Sequence, residues 1–400
     1  MDFQLTEEHK LVQESMRSFV EREVAPNIRE WDRNGAPRSV FNKLAETGAL
    51  GICFPRQYGG QGMDYISLGL TCEELEYGDT FLRVAMSVHV GLSGMSIFSW
   101  GTEEQKQRFL RPQATGERLG AFCLTEPNAG SDVVGLQSTA KKDGESYILN
   151  GEKIWISLSD YADQFLVVAW TDLEKKAKRD HSGMTAFIVE RTMPGIKTYA
   201  IHGKLGVRAG NTGGVVFDNV RVPAENRLGE EGEGFKIAMF SLDNGRYTVA
   251  SGSAGLIRAC LEASVKYAQE RKTAGVPISQ HQLIKQKVAH MEADYQISRL
   301  LYLRAGWMKN VGQRNTKETS LAKWYSTDAA NRAANQAVQL FGAYGFADEY
   351  PVERFYRNSK GAQIYEGTSD IHTLMQADYL FGNRQDKPSR VNLPTWPFDG

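Results

Sequence analysis

The spacing of apolar residues changes period twice along this chain, from the 3.6 of helices to the 2 of strands near residue 126, and back near residue 236. Any fold must therefore place helices on both flanks of a strand-rich block. Before the first change, Thr6 followed by Glu7 and Glu8 marks a helix start, and Leu11, Val12, Met16, Phe19 and Val20 recur on one face up to Pro26. Helical patterns return at 40–50, 66–76 and 83–100, interrupted by a loop with Pro55, Gly59, Gly60 and Gly62, and Thr102-Glu-Glu-Gln105 has capping-box spacing. Residues 1–125 are expected to form an N-terminal helical domain.

In the middle block, Asn150-Gly151 divides two β-rich runs of Ser146-Tyr-Ile-Leu-Asn-Gly-Glu-Lys-Ile-Trp-Ile-Ser157, which predicts a hairpin there. Further short strands are expected at 165–171, 185–190, 196–201 and 214–222, with 175–180 a charged, solvated loop. Residues 126–235 therefore read as a β-barrel or sandwich domain. After Gly232-Glu-Gly-Phe235, helical segments at 256–271, 282–311, 317–342 and 371–381 predict an antiparallel four-helix bundle over 236–383. The last stretch, 384–400, holds three prolines and reads as a tail or docking arm. The fold class expected is α+β.

Charge excludes several function classes. Lys and Arg number 47 against 48 Asp and Glu, a net charge of -1, so no global field draws nucleic acid or an anionic membrane. Cys53, Cys72, Cys123 and Cys260 lie far apart without a CxxC pair, which implies neither a disulfide framework nor a zinc site. They read as reduced thiols of a cytoplasmic compartment. Met1-Asp-Phe-Gln-Leu-Thr-Glu-Glu8 lacks a secretory h-region, and no membrane span is expected. Histidines such as His89 and His372 read as packing residues, no metal site is expected, and no Gly-x-Gly-x-x-Gly follows a strand.

Chemistry concentrates in Gln363-Ile-Tyr-Glu-Gly-Thr-Ser-Asp370. If Ile364 and Tyr365 shield Glu366 from water, its pKa rises from about 4.3 toward the range of a general base. The plain alternative is a solvated turn with an N-cap. Gly367 permits close approach of a ligand, and Thr368 and Ser369 offer hydroxyls. Leu124-Thr-Glu-Pro-Asn-Ala-Gly-Ser-Asp132 packs hydroxyls, proline and glycine into a turn at the helical–strand boundary, where the alternative is again structural. Strand alternation sets Trp155 and Ser157 on one face, either as core or as an aromatic platform with a hydroxyl at its edge.

The helical–strand–helical order, Cys123-Leu-Thr-Glu-Pro-Asn-Ala-Gly-Ser-Asp-Val-Val-Gly135, and Gln339-Leu-Phe-Gly-Ala-Tyr-Gly-Phe346 with Glu349, Arg354 and Asn358 downstream resemble the acyl-CoA dehydrogenase family over residues 1–383. The resemblance implies an FAD-dependent homotetramer that oxidises an acyl-CoA to its α,β-enoyl form and passes electrons to an electron-transfer flavoprotein. It makes Glu366 the catalytic base, taking the α-proton while the β-hydrogen leaves as hydride to flavin N5. The backbone N–H of Glu366 and a ribityl hydroxyl would hold the thioester oxygen. Some relatives carry the base just before the arginine matched by Arg246; that position here is Gly245. Phe122, Leu124, Thr125, Ser131, Trp155 and Ser157 match flavin contacts, Ser131 also lying near the thioester arm. Arg271, Thr273, Gln282, Gln339 and Gly342 resemble positions that hold the FAD pyrophosphate and adenine across a subunit boundary. Thr368 and Asp370 match cofactor contacts, while Asp243, Arg246 and Gly367 match substrate contacts. Ala274, Ala343 and Asp370 depart from residues common in the family at the adenine end.

Arg83 and Ser87, four apart on an expected helix, share a face. Together with Glu76 they match the acyl pocket of glutaryl-CoA dehydrogenases, where Arg and Ser bind the distal carboxylate; the alternative pairs Arg83 with Asp79 or Glu76. An unpaired arginine in an alkyl pocket would be costly to desolvate, so a dicarboxylic acyl-CoA is expected, glutaryl-CoA or a substituted succinyl-CoA such as benzylsuccinyl-CoA. The rival readings are a short- or branched-chain acyl-CoA dehydrogenase, an acyl-CoA oxidase-like enzyme, and a non-catalytic flavoprotein of the same fold.

Overall fold

The computed structural model describes residues 4–386 and 390–398; Met1, Asp2 and Phe3 and residues 387–389 and 399–400 of the tail lie outside it. Helices, then strands, then helices follow one another as the change of period requires. Thr6 caps the helix Glu7–Phe19 by accepting from the His9 N–H, and the His9 ring returns the bond to the Thr6 N–H. Val12, Met16 and Phe19 of that helix enter the core, whereas Leu11 stays exposed. The capping box at Thr102 forms as expected, with Gln105 at its third position.

Thr80–Trp100 is a continuous helical run of 21 residues, π-wound from Ser87 to Gly94. Its length and composition would suffice to cross a membrane, a run the sequence reading passed over. It is instead a core helix: 89% of its most apolar window is buried inside the protein, and Arg83 of the run is fully buried.

The main sheet runs in the order β6 (Ile196–Ala200), β7 (Thr212–Pro223), β3 (Ser146–Ser157), β2 (Thr139–Asp143), β4 (Gln164–Trp170), β5 (Met184–Glu190) and β8 (Arg227–Leu228), with β1 (Gly120–Cys123) parallel to β4, while Lys272–Thr273 and Val276–Pro277 pair in a small sheet of their own. The hairpin expected at Asn150-Gly151 is not there. β3 runs straight through that dipeptide, and the reversal joining β2 to β3 falls at Gly144-Glu145, between the paired Asp143 and Ser146. Asn150 accepts from the Asn219 N–H on β7, and the register slips between Leu149 and Gly151. The turn-forming pair thus marks a bulge, not a corner. A second slip, between Lys153 and Ile156, places Trp155 at φ 61°. The segment expected as a loop at 175–180 begins inside a short exposed helix, Leu173–Ala177, capped by Asp172.

The second helical region opens with a 37-residue helix, Gly234–Glu270, far longer than the expected 256–271. Its first half was hidden by glycines that weaken helix propensity. Tertiary contact explains them: a Cβ at Gly255 would overlap the Glu73 carbonyl, and one at Gly252 the Glu76 carboxylate. The helix therefore lies hard against Tyr65–Gly78. Val352–Ala362, left unassigned in the sequence, is a further helix, amphipathic, with Val352, Phe355 and Ala362 buried.

Charges are buried in this interface. Arg258 donates to Glu74 at 2.6 and 2.8 Å, Arg17 reaches Glu74 at 3.2 Å, and Tyr295 donates to Glu73 at 2.8 Å, with both carboxylates fully buried. Asp79 is likewise held by Arg354 and Asn358 at 3.0 and 3.1 Å. The tail folds back on its own chain: the Trp396 N–H meets the Asn310 carbonyl at 2.8 Å, and Phe398 packs edge-on to Tyr65 and Phe98. Removing one partner from a buried ion pair leaves an uncompensated charge. Arg258→Met should therefore lower stability by about 3–5 kcal/mol, read by chemical denaturation against the parent protein.

Candidate active site

Glu366 lies in the short reversal between the helices Val352–Ala362 and Ser369–Leu380, where Glu366 has φ 57° and Gly367 φ 95°. The left-handed region costs a non-glycine residue about 1–3 kcal/mol, so the surroundings must impose it. Three donors do so. Arg246 Nε donates to the Glu366 carbonyl at 3.0 Å, His372 Nε2 lies 3.3 Å from the same oxygen, and Lys323 Nζ donates to the Gly367 carbonyl at 2.6 Å. Burial, helped by Arg246 and Lys323, pushes His372 down to about 2. Its ring is neutral, so Nε2–H donates to Glu366 while Nδ1 accepts from Ser320 at 2.8 Å.

This backbone turns the carboxyl toward the long helix. Part of the residue reaches the surface, but Oε2 is enclosed and has no hydrogen-bond partner. Burial raises the pKa of Glu366 to about 7, against the opposing pull of Arg83, Lys323 and Arg246. Gly245 makes room, because a Cβ there would overlap Oε2. Among the described residues no group of three or more His, Cys, Asp or Glu could hold a metal.

Behind the carboxyl, Arg83 is fully buried, and its environment corrects one premise of the sequence reading. The guanidinium is not unpaired: Nε donates to Glu76 at 2.5 Å, Nη1 to Ser87 at 3.2 Å and Nη2 to the Tyr365 hydroxyl. Burial works against the cation, yet Glu76 raises its pKa overall. Ser87 also shares a 2.6 Å bond with Thr248, which donates to the Gly245 carbonyl.

The other expected residues fall into four groups. Asp243 pairs with Arg246 at 3.1 Å and accepts from Thr316 at 2.6 Å, and Arg246 in turn holds the Glu366 carbonyl. Phe122 is on β1, which packs against Ser87–Gly94, and Leu124 follows it. Thr125 is joined to β3 by the Ile154 N–H at 2.9 Å, Ser157 is half-buried, Ser131 is exposed, and Trp155 is 59% exposed, excluding the core reading. The buried Lys153 fixes this turn, donating to the Leu124 carbonyl and to Glu126 at 2.8 Å. Arg271, Thr273, Gln282, Gln339 and Gly342 form a separate exposed set; Arg271 stacks over Tyr344, just after Gly342. Thr368 caps the last helix, accepting from the Ile371 N–H, and Asp370 is exposed in its first turn. Two clefts, one lined by Lys287, His290 and Arg332 and the other by Glu262, Val265 and Lys266, contain none of these residues.

Comparison with known proteins bears on this geometry. Family profiles for the acyl-CoA dehydrogenase N-terminal, middle and C-terminal domains match residues 6–117, 121–220 and 232–381. The chain belongs to the acyl-CoA dehydrogenase family. It is 42% identical to a probable acyl-CoA dehydrogenase of Bacillus subtilis, over 95% of this chain and all of that one. The solved butyryl-CoA dehydrogenase of Megasphaera elsdenii is similar at TM-score 0.92 and 39% identity, covering 95% of this chain and all of that one. A glutaryl-CoA dehydrogenase of Mycobacterium smegmatis, solved with FADH2, is similar at TM-score 0.90 and 33% identity, covering 96% and 97%.

For this acyl-CoA dehydrogenase the sequence reading missed Lys323, Tyr365 as a partner of Arg83, and the role of His372. Lys323 was legible in part: it is a lone lysine on a face shared with Ser320, Thr327, Ala330 and Ala334, all buried. Gly245→Ala should leave the fold intact and lower flavin reduction by acyl-CoA at least a hundredfold, since the new methyl displaces Oε2. Stopped-flow absorbance of the purified protein measures it.

Proposed function

We propose that this enzyme catalyses α,β-dehydrogenation of an acyl-CoA thioester with FAD bound, and that Glu366 removes the α-proton. One observation carries the assignment: an enclosed carboxyl with one oxygen unbonded, whose proton affinity burial brings close to neutral pH. The Glu366 N–H has no backbone partner among the described residues and can donate to the thioester oxygen as charge grows on it. FAD, when bound, supplies the acceptor for the β-hydrogen. The exposed Trp155 at the β3 bulge, the adjoining Thr125 and the half-buried Ser157 fit a flavin ring and its polar edge.

For the acyl group we infer a distal carboxylate. Arg83 uses three of its five N–H groups on Glu76, Ser87 and Tyr365, which leaves two for an anionic tail, with the Ser87 and Thr248 hydroxyls adjacent. Glutaryl-CoA and benzylsuccinyl-CoA are candidates. The similarity to a butyryl-CoA dehydrogenase supports the rival reading of a plain short chain. We further infer a homotetramer that completes the exposed Arg271 set across a subunit boundary, supported by the exposed Leu283, Trp307, Leu380 and Phe381. An electron-transfer flavoprotein would take the electrons. The four buried free thiols suit a cytoplasmic location.

Anaerobic titration with glutaryl-, benzylsuccinyl-, butyryl- and isovaleryl-CoA decides the substrate, and preferential bleaching by butyryl-CoA would reject the dicarboxylate. Glu366→Gln should retain FAD and lose flavin reduction by several orders of magnitude. In the parent, the reduction rate should climb with pH through about 7, as the base ionises, and then level off. Stability follows the same group with opposite sign. Its folded pKa lies above the unfolded value, so its contribution is complete below about 4.3 and is lost as pH rises through about 7. Glu366→Gln should accordingly raise the Tm at pH 8 and leave it unchanged at pH 4. Arg83→Met should weaken use of dicarboxylic substrates far more than of butyryl-CoA; equal loss on both would make Arg83 structural.

A further inference from the structure

Three cations lie around Glu366, and two of them already have carboxylate partners. Arg83 is paired with Glu76 at 2.5 Å and Arg246 with Asp243 at 3.1 Å. Lys323 is fully buried, and among the described residues no carboxylate comes within ion-pair distance of it. Its one hydrogen bond goes to the Gly367 carbonyl, 2.6 Å away. The other groups facing it are neutral or engaged elsewhere. His372 is an uncharged ring, and Asp328, five residues along the same helix, accepts from Gln363 at 2.7 Å and Ser369 at 2.8 Å. A buried ammonium without a counter-ion is costly, and natural proteins retain one where its charge is used.

We propose that Lys323 is a positioning residue for Glu366, its ammonium fixing the Gly367 carbonyl so that the reversal stays left-handed, and its unshared charge favouring the ionised form of the base. The proposal rests on the reading of Glu366 as that base. Burial pushes Lys323 itself down to about 7, with Glu366 acting in the opposite direction, as expected of a cation and a carboxyl that depend on each other. Arg246 and His372 grip the carbonyl before the strained peptide and Lys323 the one after it, so both ends of a costly conformation are held.

The test compares Lys323→Met, which removes donor and charge, with Lys323→Gln, which keeps a donor without charge, and Lys323→Arg, which keeps both. Each is purified with FAD, and flavin bleaching by a saturating acyl-CoA is followed from pH 5.5 to 9, with FAD content, substrate Kd and Tm measured alongside. The midpoint of the pH profile should move upward by about one unit in Met and Gln, a tenfold change in proton affinity. Substrate Kd should change less than twofold, and Arg should keep the parent midpoint. An unchanged midpoint in Met and Gln overturns the proposal, whatever happens to Tm. Should the Met variant fail to fold, the Gln and Arg pair decides by the same criterion. Failure of the underlying reading is separate: it shows as undiminished flavin reduction in Glu366→Gln.

Discussion

The site depends on one constraint: one carboxyl oxygen must be kept out of water and free of hydrogen bonds, on a backbone conformation that its residue type disfavours. Each condition opposes folding on its own. Desolvation penalises the charged form, the left-handed φ strains the peptide, and an unbonded buried oxygen forfeits its hydration. The protein meets all three with backbone carbonyls as handles. Arg246, His372 and Lys323 hold the Glu366 and Gly367 carbonyls, leaving the carboxyl oxygen unclaimed. A donor placed on the side chain instead would have fixed it equally well and made it a poorer base.

Close packing by glycine is the second device. The Gly234–Glu270 helix carries Gly245, Gly252 and Gly255 where it meets Glu366, Glu76 and the Glu73 carbonyl. Each glycine costs helix propensity of about 1 kcal/mol. In return the helix approaches polar groups that a methyl would push away, and the polar core between the two helical regions closes. The burial of Arg83 follows from the same packing, since its guanidinium can lie out of water only because Glu76, Ser87 and Tyr365 surround it.

Much of this was readable in advance. The α+β class and the helical–strand–helical order followed from two changes of period, and the helix start at Thr6 and the capping box at Thr102 from local chemistry. The raised pKa of Glu366 was expected from shielding by Ile364 and Tyr365, but Ile364 is 57% exposed and the carboxyl is enclosed from the side of Gly245 on the long helix. Three features were misread, each for a tertiary reason. Asn150-Gly151 has hairpin chemistry, but pairing with Asn219 on β7 carries the strand through it. The glycine-rich half of the long helix is a poor helix former that packing against Glu73 and Glu76 makes helical. For Arg83 the unpaired reading was preferred to pairing with Asp79 or Glu76, and the Glu76 alternative is the one that forms; Glu76 sits on the preceding helix, which ends at Gly78 before the next begins at Thr80.

By itself, the sequence determined what depends on neighbours a few residues apart: periodicity, caps, the Glu-Gly dipeptide of the reversal and the absence of any paired-cysteine framework. The tertiary structure alone decided which charges meet. Lys323 reaches Gly367 across 44 residues, Arg246 reaches Glu366 across 120, and Arg83 reaches Tyr365 across 282. Such contacts leave no local pattern, because a buried ion is tolerated for partners that only the folded chain brings within reach.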